Sequence, residues 1–169
     1  SLMAISARVK SSALIKDHPM FRAWGEWSSA FLAEYIDRFT EESGAPYENP
    51  HYTLGVTLMC AIDANNLLLE NNLPDAFAAA PKFERMARFI PNWLTPCDPR
   101  YTDHRVVLPV GNCSYQSYRA EIDGLVTYYK TRNPKLAEEL QWTFNQTRSE
   151  ETHVKVMDKE TPPALGSAV

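Results

Sequence analysis

The chain has 169 residues, enough for one domain with a substantial core and too few to require two. Its apolar share of 44% and charged share of 22% are those of an ordinary globular protein. A net charge of −4 supplies no global basic field to hold nucleic acid or an anionic membrane, and no uninterrupted apolar run reaches the roughly eighteen residues that mark a bilayer span.

In chain order, the first helix is expected over Met3–Lys16, ending before the breaker Asp17-His18-Pro19. Ser1-Leu2-Met3 reads as a remnant ahead of an internal start. Ser6, Arg8, Lys10, Ser11 and Ser12 interrupt the opening stretch too often for a signal-peptide apolar region. Met20, Trp24, Trp27, Phe31, Tyr35 and Phe39 follow at intervals of three or four, with Leu32 and Ile36 beside them, and predict a second helix whose aromatic stripe is core. Ser43-Gly44 is its expected left-handed stop.

Asn49 and Pro50 predict the cap and first turn of a third helix, running to about Asn72, in which Tyr52, Gly55, Met59, Ile62, Asn66 and Leu69 share a face. Phe83, Met86, Ile90 and Trp93 mark a fourth, opening at Pro81 and ending at Leu94-Thr95-Pro96. The stretch from Thr95 to Cys113 holds Pro96, Pro99, Pro109 and Gly111 and reads as a long loop with a short extended piece at Arg105–Val110. Tyr115, Tyr118, Ile122, Leu125 and Tyr129 define a fifth helix, capped by Asn112 or Ser114. Asn133-Pro134 opens a sixth, with Leu136, Leu140 and Phe144 on its face. The expected organisation is an all-α domain over 1–148, built of antiparallel helical hairpins, with an extended or poorly ordered tail over 149–169. No strict repeat period supports a tetratricopeptide or ankyrin array.

The three cysteines, Cys60, Cys97 and Cys113, have no metal-type spacing. Cys60 falls in an apolar helix and reads as a small core residue. Cys97 and Cys113 flank one loop, where a disulfide and two free thiols are both open. No zinc-protease, P-loop or serine-esterase pattern occurs, and neither a metal nor a cofactor is expected.

Three segments carry chemistry-bearing side chains. Tyr47-Glu48-Asn49-Pro50-His51-Tyr52 gathers a carboxylate, an amide, an imidazole and two phenols at a helix start, where unpaired N–H groups favour anions; a plain capped helix explains the same residues. Arg100, His104 and Arg105 lie on a proline-stiffened loop and suit a carboxylate or sulfate, against the simpler reading of an Asp98–Arg100 turn with solvated charges. Gly111-Asn112 permits close backbone approach, and helix capping alone also accounts for it.

The ordered set Gly44-Ala45-Pro46-Tyr47-Glu48-Asn49-Pro50-His51-Tyr52, Leu94-Thr95-Pro96-Cys97-Asp98-Pro99-Arg100, Leu108-Pro109-Val110-Gly111-Asn112 and Asn133-Pro134-Lys135-Leu136-Ala137 resembles the α/α toroid of heparinase II/III-like polysaccharide lyases, alginate and oligoalginate lyases among them, over about Met20–Gln146. The resemblance implies β-elimination on a uronic-acid polysaccharide, an incomplete toroid, and a periplasmic or secreted location. It places the catalytic tyrosine at Tyr52, with His51, Glu48, Arg100, His104 and Arg105 contacting an acidic poly- or oligosaccharide. A phenol is protonated near neutral pH and can donate to a departing alkoxide. The Asn-His pair and C-terminal β-sandwich of such lyases have no counterpart here. The implied chain is therefore a central fragment, inactive alone, whose partners are the remaining toroid and sandwich or another copy meeting its exposed apolar faces. The alternative is a non-catalytic helical module that binds carbohydrate or protein through its eight tyrosines and four tryptophans.

Overall fold

A computed structural model describes residues 2–97, 105–110 and 118–147. Among these the secondary structure is helical, with two isolated β-bridges and no strand. The helices are α1 (Leu2–Ala13), α2 (Phe21–Arg38), α3 (Pro50–Glu70), α4 (Ala76–Ala79), α5 (Phe83–Phe89, continued as a 3₁₀ turn over Ile90–Trp93), α6 (Arg119–Tyr129) and α7 (Pro134–Gln146). The expected tail over 149–169 lies outside the described residues, as do Arg100, His104, Asn112, Cys113 and Ser114.

Helix α3 is the centre of the molecule. Leu54, Leu58, Ala61, Ile62, Ala64, Asn65 and Leu68 are buried along it, and α1, α2 and α6 pack around it. By length and composition it passes as a candidate membrane span, and its position in this core gives its apolar character a simpler cause. Its start follows the local code: the Asn49 side chain accepts from Tyr52 N–H at 3.0 Å, with Pro50 in the first turn. Its end is a Schellman stop. Asn72 is left-handed at φ 55°, Asn72 N–H bonds Leu69 O, and Leu73 N–H reaches back to Leu68 O at 2.9 Å.

Residues Thr53–Leu58 of α3 wind as a π-helix. The winding does not break the spacing of the buried residues, since Leu54, Leu58, Ala61, Asn65 and Leu68 follow at intervals of three or four. Of the expected shared face of Tyr52, Gly55, Met59, Ile62, Asn66 and Leu69, Ile62 is buried, whereas Tyr52, Met59 and Asn66 are exposed.

The expectation for α2 is overturned. Its buried face is Gly25, Ser28, Ser29, Leu32, Ala33 and Ile36. Met20, Trp27, Phe31 and Phe39 are exposed, Trp27 by 48%, and Trp24 and Tyr35 are half-buried. The cause is proximity. A Cβ on Gly25 would stand 2.3 Å from Leu73 Cδ1, so at that turn the approach excludes a side chain, and the aromatics lie on the flank. There they pair with one another, Trp27 with Phe31 at 5.2 Å and Tyr35 with Phe39 at 4.4 Å, while the Arg8 guanidinium covers Trp27 at 4.3 Å.

Nor does Ser43-Gly44 stop α2, which ends at Arg38. Gly44, at φ 93°, turns the loop that pairs Thr40 with Pro46. A Cβ there would meet the Arg85 carbonyl oxygen at 2.4 Å. Gly44→Ala is expected to cost about 2 kcal/mol through backbone strain and this clash, read as a lower urea midpoint with unchanged slope.

Helices α6 and α7 form an antiparallel hairpin: Asn133 caps α7 by accepting from Leu136 N–H, and at the far end Arg119 bonds the carbonyls of Phe144 and Thr147. The extended piece at Arg105–Val110 is present in part, Val107 bridging to Leu94. The fifth helix begins later than expected. Its cap residue is Tyr118; Asn112 and Ser114, the expected caps, lie outside the described residues. Cys60 is partly buried against the core, and Cys97 is an exposed free thiol.

Tyr128 and Tyr129 close the hairpin against Phe77 and Phe83. Burial first pushes both phenols above their ordinary value of 10.0, with Asp75 adding to the effect at Tyr128 and Tyr128 itself at Tyr129. A raised folded-state value means the neutral form is favoured by folding, so this stability is complete below the unfolded value near 10 and is lost as pH rises above it. Thermal melting is expected to hold steady to about pH 9 and to fall steeply beyond about pH 10.

Candidate functional site

The Tyr47–Tyr52 segment is pinned at both ends. Tyr47 N–H bonds Phe39 O at 3.0 Å, and Thr53 Oγ1 donates to Glu48 O at 3.3 Å. With the Asn49 cap made to the Tyr52 backbone, the Tyr52 ring lies at the surface, 40% exposed, on the first turn of α3. The His51 ring stands edge-on to it at 5.5 Å between centroids. On its other side His51 Nδ1 meets the hydroxyl of Tyr118 at 2.6 Å. Three aromatic side chains from α3 and the cap of α6 thus line one corner, directly beside the π segment.

Glu48 is exposed and faces the other way, toward Tyr35. Burial and this carboxylate together raise the Tyr35 phenol above its ordinary value, burial being the larger cause. Tyr35, Phe39, Glu48, Thr53, Thr57 and Met86 line a cavity of about 20 Å³, room for about one water and none for a sugar. Of the loop residues, Arg105 is the one described. Its Nη1 donates to Thr95 O at 3.0 Å, its backbone N–H to Gln146 O at 3.1 Å, and its guanidinium lies 6.0 Å from the Trp142 ring. Its backbone thus satisfies a carbonyl at the end of α7, and its guanidinium ties the loop to Thr95. The structure brings His51 and Tyr52 together, adds Tyr118, and sends Glu48 and Arg105 to other neighbours.

Sequence reasoning treated Tyr118 only as one member of a helical stripe. Its signal was the residue type; its partner is 67 positions away and not locally encoded. His18, given no role, stacks on Trp24 at 4.8 Å and accepts from Met20 N–H, a structural use. Among the described residues no group of three His, Cys, Asp or Glu side chains is placed to hold a metal ion. Comparison with protein-family models, curated proteins and solved structures finds no match to this chain.

Proposed function

We propose that the chain is the tyrosine-bearing part of a uronate-polysaccharide lyase, with its hairpins forming a section of an incomplete α/α toroid. The observation that carries this reading is an exposed phenol, Tyr52, held on a capped helix start beside the His51–Tyr118 pair. In the reaction a base removes the C5 proton of the uronide, the C4–O bond breaks as the C4=C5 double bond forms, and an acid protonates the leaving oxygen. Tyr52 is that acid: surface-accessible, and held at its backbone by the Asn49 cap. His51 lies within reach of the same sugar. Arg100 and His104 remain proposed contacts to the acidic substrate, and Arg105 and Glu48 join them only from the rim. The rest of the toroid, or a second copy, is the proposed cover for the aromatic flank of α2.

Addition of short uronate oligosaccharides to the chain is expected to shift the NMR resonances of Tyr52 and His51, with no shift from the carboxyl-reduced sugars. Silence at both residues would remove the lyase reading. A second reading, a binding module without catalysis, is favoured by the exposed row Trp27, Phe31 and Phe39. In the same titration it requires shifts along α2, from neutral sugars as well, and none at Tyr52.

A further inference from the structure

Tyr118 has the marks of a residue held in place for a reason. Its backbone is left-handed at φ 49°, a conformation that a bulky L-residue rarely adopts. Its side chain is 5% exposed and its hydroxyl sits 2.6 Å from His51 Nδ1. The approach depends on Gly55, inside the π segment: a Cβ there would stand 3.0 Å from Tyr118 Cε1 and 3.9 Å from His51 Nδ1. Strained backbone, a π turn and a missing side chain all bear on one hydrogen bond.

The direction of that bond is read from its length. At 2.6 Å it is shorter than the roughly 2.7–3.2 Å typical of an N–H donor and falls within the roughly 2.5–3.0 Å typical of an O–H donor. With the hydroxyl as donor, Nδ1 accepts. A neutral imidazole has one ring proton, which must then be on Nε2.

From this we infer that Tyr118 is a positioning residue that locks neutral His51 in its Nε2–H tautomer, so that His51 presents a hydrogen-bond donor, and not a base, beside Tyr52. The inference extends the lyase reading only in its last step, where that N–H is matched to an oxygen of the bound uronide: its carboxylate or the glycosidic oxygen. Proton abstraction is assigned elsewhere.

The test needs no turnover and so stands apart from the lyase assignment. Imidazole ¹⁵N correlation spectra of the full chain, recorded at about pH 8 where imidazoles are neutral, resolve the tautomer of each of the four histidines, with His51→Gln identifying the relevant signal. His51 is expected to be Nε2–H with an unprotonated Nδ1, and Tyr118→Phe to return it to a mixture of tautomers with the circular dichroism unchanged. A His51 ring protonated at Nδ1 in the native chain, or one still purely Nε2–H in a folded Tyr118→Phe variant, overturns the inference. If Tyr118→Phe does not fold, 3-fluorotyrosine at position 118 makes a stronger donor of nearly the same size. The His51 Nδ1 resonance should then move, and an unmoved resonance again overturns it.

Discussion

On the proposed lyase reading, Tyr52→Phe is expected to lower elimination by about 100- to 10,000-fold, the usual worth of a general acid, in a natural protein that carries this segment. The substitution removes one oxygen and leaves in place the cap, made by Tyr52 N–H to Asn49 Oδ1, and the ring's edge-on contact with His51. Substrate affinity should therefore change little, because the phenol proton is needed when the glycosidic oxygen departs and not when the sugar binds. The readout is the ultraviolet absorbance of the unsaturated uronide, with binding measured separately. Wild-type turnover in the variant would end Tyr52's candidacy as the acid, and a matching loss of binding would show a contact residue instead.

The largest effect on stability is expected at Asp75. Its carboxylate accepts from Phe77 and Ala78 N–H at the start of α4, from Asn65 Nδ2 in α3, from the Tyr128 hydroxyl in α6, and from Arg132 just beyond α6. Asn65, fully buried, in turn accepts from Ala76 N–H at 2.8 Å. Asp75→Ala removes an N-cap, worth about 1 kcal/mol, and leaves a largely buried amide and phenol short of an acceptor, at about 1–3 kcal/mol. The Arg132 pair adds little, because the guanidinium is partly in water. A total near 3 kcal/mol corresponds to a fall in Tm of about 10 °C for a chain of this size. Asp75→Asn keeps a capping oxygen and should lose less than half as much. Equal losses for the two variants would show that charge, and not acceptor geometry, organises this junction.

Much of the architecture was legible in the order of residues because its causes are local. The Asn49-Pro50 and Asn133-Pro134 caps and the stop at Asn71-Asn72-Leu73 all depend on atoms within a few positions of each other. The candidate site was legible in part for the same reason. His51 and Tyr52 are neighbours on one capped turn, whereas Tyr118 reaches them through a contact that neither segment announces.

Helix α2 shows where local information stops. An aromatic stripe and a stripe of Gly25, Ser28, Ser29, Leu32, Ala33 and Ile36 both obey the helical period, and periodicity cannot rank them. The partner does: Leu73 comes so near Gly25 that no side chain fits between without a shift, and the face that carries Gly25, Leu32 and Ile36 is the buried one while Trp27, Phe31 and Phe39 stay exposed. Hydrogen-bonding ends and breaks are written in short range, but the face a helix buries is a property of two surfaces and is settled when they meet.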